Sequence, residues 1–168
     1  MSHATEPSGT ARLELLPLRP VHAAEMAGVL SDPALHTFIG GTPDTPEALR
    51  ARYERLAAGS PDPGVVWCNW VLRDRTTGSL VGTVQATVSG GTAEVAWVVG
   101  TPWQGRGYAT EAAGWLVAHV IAAYGVHTVI AHVHPEHHAS AAVAAAAGLT
   151  ATDELQDGEI RWELTPHR

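Results

Sequence analysis

Between Trp103 and Ala112 the chain reads Trp-Gln-Gly-Arg-Gly-Tyr-Ala-Thr-Glu-Ala. Two glycines and an arginine stand between an apolar run, Val95 to Val99, and a long helical stripe. A glycine-rich turn from a strand into a helix presents backbone N–H groups and the positive end of the helix dipole to an anion. Gln104, Gly105, Arg106, Gly107, Tyr108, Ala109 and Thr110 are therefore candidates to cradle a pyrophosphate. Gly107 would let the backbone approach closely, and Arg106 would add charge. Two nucleotide loops are excluded. A Walker loop needs Gly-Lys-Ser/Thr, and the chain has no lysine. A dinucleotide fingerprint needs Gly or Ala where Thr110 stands, after a strand that opens a βαβ unit; the strand here closes an antiparallel meander. A second concentration of chemistry is His132, His134, His137 and His138. Their spacing could bring nitrogen ligands together. No cysteine or aspartate joins them, so no metal is expected.

The elements that position these residues can be read in order. Leu13, Leu15 and Leu16 around Glu14 mark a first strand over 12–18. Pro20 opens a helix with Ala23, Met26, Ala27 and Leu30 on one side, and Ser31-Asp32-Pro33 ends it. A connector over 35–41 follows. Thr45-Pro46 supply an N-cap and a first-turn proline for a helix that stops at Gly59. Runs over 65–73, 79–88 and 92–99 are three strands of a meander, with turns at 76–78 and 89–91. The helix that begins near Gly107 carries Tyr108, Ala112, Trp115, Leu116, His119, Val120 and Tyr124 along one face, and Gly125 stops it. A strand over 126–133, an Ala-rich helix over 140–147 and a hairpin about Gln156-Asp157-Gly158 complete the order.

Bulk properties narrow the function classes. The chain has 168 residues, 45% hydrophobic and 16% charged, enough for one domain with its own core. Residues 1–11 are small and polar and are expected to form a flexible N-terminus; 12–168 form the domain. A formal net charge of −7 argues against nucleic acid as a partner and suits a cationic or amine-bearing one. The single cysteine, Cys68, excludes an internal disulfide and is expected to be buried and inert. No run approaches a membrane span and no secretory signal is visible, so a cytoplasmic, bacterial-type protein is expected.

The element order, together with Gln104, Gly107 and Ala109 in the pattern Gln/Arg-x-x-Gly-x-Gly/Ala, resembles the GNAT superfamily of N-acetyltransferases over nearly the whole chain. His134-Pro135-Glu136-His137-His138-Ala139-Ser140, the helix end at Ala146 to Leu149, and Arg12-Leu13 with Leu18-Arg19-Pro20 resemble RimJ/RimL-type members. His137 stands where that branch usually has Asn, and Leu149 where it often has Phe. The resemblance implies an α/β (α+β) fold: one mixed, mostly antiparallel sheet of six to seven strands flanked by about four helices. It implies a sheet splayed between the strand ending at Val99 and the strand Val126–Val133.

The resemblance also implies acetyl-CoA as co-substrate and an amine acceptor, either a small molecule or a protein N-terminus; the alternative is a non-catalytic acyl-CoA-binding or sensor module on the same fold. The pantetheine arm would pair with Trp97, Val98 and Val99, as an extended ligand adds to a strand edge. Glu94 would be the general base, with Glu136 and Glu163 as weaker alternatives. Ser140 would protonate the leaving thiolate; its alternative role is the N-cap of its helix. His137 would contact the pantetheine arm or act as the base itself. Trp67, Trp70 and Trp97 are candidates for an acceptor pocket. Family members are often dimers. The segment 35–64 is expected to select the acceptor and carries no readable code.

Overall fold

Local signals set most element ends. Thr45 Oγ1 accepts from Ala48 N at 3.1 Å, and Pro46 is the first residue of the helix that follows. Gly125 leaves the longest helix in the left-handed region, φ 58°, where a side chain would be strained. The computed structural model describes residues 8–39 and 41–166. Its elements are β1 (Ser8–Gly9), β2 (Leu13–Pro17), α1 (Ala23–Val29), α2 (His36–Ile39), α3 (Pro46–Ala58), β3 (Val65–Asp74), β4 (Leu80–Ser89), β5 (Thr92–Val99), α4 (Tyr108–Tyr124), β6 (Thr128–Val133), α5 (His138–Ala146), β7 (Thr150–Gln156) and β8 (Glu159–Leu164).

The strands form one sheet in the order β1-β2-β3-β4-β5-β6-β8-β7. Every neighbouring pair is antiparallel except β5 with β6. The mixed architecture is the one expected, with eight strands in place of six or seven. The additional strand comes from the segment expected to be flexible. Ser8 and Gly9 pair with Leu15 and Glu14, and Thr10 N donates to Leu13 O at 2.9 Å. Residues 1–7 of that segment lie outside the described residues. The connector after α1 also folds, into a 3-10 turn (Pro33–Leu35) and α2; Asp32 caps the turn by accepting from Ala34 N.

Two apolar clusters hold the layers together. On one face, Tyr108, Ala112, Leu116, Val117 and Val120 of α4 pack with Cys68, Trp70, Val84, Val95 and Val129 of the sheet. Burying each such Val or Leu contributes roughly 1.5–3 kcal/mol. Tyr108, Ala112, Leu116 and Val120 of the predicted stripe are buried and Trp115, His119 and Tyr124 are partly covered; Ala113 and Val117, outside that stripe, are buried as well. On the opposite face, Ala23, Met26 and Val29 of α1 meet Leu49 and Tyr53 of α3 over Val71 and Leu80. Cys68 is buried, and its Sγ lies 3.3 Å from the Tyr124 hydroxyl. Burial pushes the thiol up, away from the thiolate form that reacts. Among the described residues no helix is long and apolar enough to cross a membrane.

Candidate active site

The sheet opens where the sequence leads one to expect. β5 pairs with β6 only at Thr92↔Thr128, Ala93↔Val129 and Glu94↔Ile130. From Val95 on, β5 keeps its antiparallel partner β4 but loses β6, which turns to β8. Pairing alternates along β5. Gly100 N donates to Val81 O, so the even-numbered residues before it direct their backbone groups to β4. Val95, Trp97 and Val99 therefore turn theirs into the gap, where an extended amide-bearing ligand could pair. Val98 does not: it pairs with Thr83. The Val99 carbonyl is already engaged by Gln104 Nε2 at 3.0 Å, which ties the glycine loop to the end of β5.

The loop itself has the geometry of an anion cradle. Gly105 and Gly107 have φ of 77° and 81°. Gly107 is the N-cap of the 17-residue α4, and no side chain caps it. The first amides of α4, at Tyr108 to Thr110, are left for a ligand at the positive end of the helix. Gly105 has open space around its Cα, and Arg106 is exposed.

What holds the loop comes from far away in the chain. Arg12, just before β2, donates from Nη1 to the Arg106 carbonyl at 2.8 Å and from Nε to Glu111 Oε1 at 2.8 Å. Its guanidinium stacks over the Tyr108 ring, 4.6 Å from the centroid. Arg12 N and the Thr10 hydroxyl also donate to Glu111 Oε2. Burial alone would raise the Glu111 carboxyl; the hydrogen bonds from Thr10 and Arg12 outweigh it and hold the group below its ordinary value. Tyr108 in turn donates to the buried Asp74 at 2.6 Å. That bond holds the Asp74 carboxyl down and pushes the Tyr108 hydroxyl up. Neither the Arg12 clamp nor the Asp74 anchor is predicted from the sequence. Arg12 stands out there only through its place in the resemblance, and no local spacing links residues 99 positions apart. Replacing Arg12 by Ala is expected to weaken coenzyme A binding about tenfold, the loss of one or two partly exposed charged hydrogen bonds. Calorimetric titration checks it; an unchanged Kd would show that the loop holds its shape alone.

At the other lip of the gap, α5 begins at His138, two residues before the expected start. The cap is His137, not Ser140. Its Nδ1 accepts from Ser140 N at 3.2 Å, which places the imidazole proton on Nε2, 3.3 Å from Ser140 Oγ. Burial lowers the His137 imidazole, favouring this neutral form. With Nε2–H donating to Ser140 Oγ, the serine hydroxyl keeps its own proton free to give away.

The two faces of β5 differ. Ala93, Val95, Trp97 and Val99 pack toward α4; Glu94, Ala96 and Val98 lie on the opposite face. Glu94 is 54% exposed at the last rung before the split. Register places Trp67, Thr87 and Glu94 in one row across β3, β4 and β5. Strand spacing makes that row about 10 Å long. Trp67 and Asn69 line a cleft of about 560 Å³ that also takes in Leu18, Arg19, Leu56 and Ser60. Of the three tryptophans considered for an acceptor pocket, only Trp67 faces this side. Trp70 is 1% exposed, edge-on to Trp115 and His119, and Trp97 packs against the main core. Alternation along each strand is the reason: both sit one residue out of phase with the Glu94 face. The histidines do not gather. Among the described residues no group of three or more His, Cys, Asp or Glu is placed to hold a metal ion.

An open sheet with an uncapped helix start at its mouth is an architecture suited to an acyl carrier with a phosphorylated, peptide-like arm. Residues 12–150 match the acetyltransferase (GNAT) domain, and the chain belongs to that family. It is an acetyl-CoA-dependent acyltransferase. Solved structures agree in fold. An acetyltransferase from Agrobacterium tumefaciens superposes with a TM-score of 0.79 at 23% identity, covering 99% of this chain and 98% of that one. RimL, a ribosomal L7/L12 alpha-N-protein acetyltransferase in complex with coenzyme A, gives 0.77 at 14% identity over 95% and 98%. A ribosomal-protein-S5-alanine acetyltransferase from Vibrio fischeri gives 0.75 at 17% identity over 95% and 96%. These likenesses are of fold. No curated protein matches the sequence.

Proposed function

We propose that the protein acetylates a primary amine, on a small molecule or a protein N-terminus, by direct attack while acetyl-CoA and the acceptor are held together. The observation that carries this reading is the position of Glu94. It is an exposed carboxylate on the last paired rung of β5, beside the gap and on the face that also holds Trp67 and the cleft. Acetyl-CoA supplies the acetyl group as a thioester. The amides of residues 105–110 and Arg106 bind its pyrophosphate, and the gap-facing backbone of Val95, Trp97 and Val99 aligns its arm. A typical alkylamine is protonated near neutral pH, with a pKa of about 10. Glu94 removes that proton, directly or through one water, so that the nitrogen lone pair can attack. As the C–S bond breaks, Ser140, its oxygen held by His137, passes a proton to the departing sulfur and regains one from the nitrogen, which becomes the amide.

Trp67 offers an apolar or cationic acceptor a ring face, and the overall negative charge favours a cation's approach. The test is coenzyme A release measured against amines, amino acids, N-terminal peptides and aminoglycosides. Turnover is expected with at least one class. Binding of coenzyme A with no turnover on any of them would overturn the proposal.

A further inference from the structure

His132 lies on β6, two residues beyond Ile130, the last residue that pairs with β5. Alternation puts its side chain on the Glu94 face, and its Nδ1 is 3.4 Å from Glu94 Oε2. The side chain is 9% exposed, against 54% for Glu94. Its other ring nitrogen, Nε2, is buried with no hydrogen-bond partner among the described residues. A buried N–H without an acceptor is rarer in proteins than an acceptor left unfilled. The favoured tautomer therefore carries the proton on Nδ1, aimed at the carboxylate, and leaves the lone pair on Nε2.

From this geometry we infer that His132 is a positioning residue for Glu94: its Nδ1–H holds the carboxylate in one rotamer at the mouth of the gap. The inference rests on the reading of Glu94 as general base. An exposed glutamate on a strand otherwise samples several rotamers, and a base must be within reach of the proton it takes. The burial of an imidazole with one nitrogen unpartnered is a local cost, and among the described residues the bond to Glu94 is the one polar contact seen for that ring.

The other charged groups on this face belong to the far side. Arg161, the register partner of His132 on β8, is bound to Glu163 at 2.6 Å and to Glu154 of β7 at 3.4 Å. His134 comes directly after β6, and its Nδ1 accepts from Glu136 N. From β4 the neighbours are Thr87 and Gln85, which carry no charge. These groups are common to every variant below, so differences between the variants are not theirs.

Three variants of the full chain test the inference: His132→Asn, whose amide N–H takes the place of Nδ1–H; His132→Gln, whose amide reaches the place of Nε2; and Glu94→Gln. Rates are followed by coenzyme A release at saturating acetyl-CoA with the best acceptor of the panel. His132→Gln is expected to lower kcat about tenfold, the loss of one charge-assisted hydrogen bond. KM for acetyl-CoA should not change. His132→Asn should restore most of kcat. An unchanged kcat in His132→Gln, or no recovery in His132→Asn, overturns the inference. Glu94→Gln separates the two readings. If it keeps wild-type kcat, the base assignment itself fails. If it is inactive while His132→Gln matches wild type in rate, only the role of His132 fails.

Discussion

Gly107→Val is expected to remove coenzyme A binding from a protein that otherwise folds. Gly107 sits at φ 81° as the N-cap of α4. A residue with a side chain in that region costs about 1–2 kcal/mol, and a β-branched one more. The added Cβ would stand 3.2 Å from Arg12 Nη2, at the tip of the side chain that holds the loop. The loop would relieve both by rotating its amides away from the helix axis. Those amides are the proposed cradle. Hydrogen bonds to a charged group contribute about 1.5–3 kcal/mol each. Misaligning two of them weakens binding by at least about a hundredfold. Calorimetric titration gives the Kd, and the thermal midpoint reports folding. A Kd within threefold of wild type would show that the pyrophosphate lies elsewhere.

Glu94→Gln carries the second large effect. The amide keeps the shape of the side chain and can still accept from His132, but it cannot take a proton at neutral pH. Loss of a general base typically costs about 10²–10⁴-fold in rate. The fall should appear in kcat with KM for acetyl-CoA unchanged, because Glu94 lies on the face of β5 opposite the α4 core and its backbone pairs with β4. The acidic limb of the pH profile should flatten as well. Should kcat survive, Glu163 is the next carboxylate to consider. It shares a register row with Glu94 through Ile130, although its carboxylate is already engaged by Arg161. Glu136 is less well placed: it lies in the turn before α5, outside the strands of that face.

Much of this arrangement is legible in the chain because its signals are local. The bounds of β5 and β8, the Thr45 cap, the glycine stops and the core stripe of α4 each follow from residues a few positions apart. The glycine loop is legible for the same reason. What escapes is set by contacts between distant segments. Arg12 reaches Glu111 and Arg106 only because β2 lies beside β3 while α4 starts above their ends. Nothing in the spacing of Asp74 and Tyr108 announces their bond. Ser140 looks like a helix cap, since serine is a common one. His137 takes that place because an imidazole nitrogen three residues earlier can accept from the same amide. Trp70 and Trp97 look equivalent to Trp67 until strand phase separates them. Periodicity says that a strand has two faces; only its neighbours say which face is covered.

The three rungs between β5 and β6 have a mechanical meaning. They divide the sheet into two plates, β1 to β5 and β6 with β8 and β7, joined by a short hinge. α4 rests on β4 and β5 of the first plate and touches α5, which continues from β6 of the second. It also shares a core with Val129 of β6, so it bridges the two plates. The same helix starts, without a side-chain cap, at the end of β5, so the slot and the glycine loop are set by one rigid element.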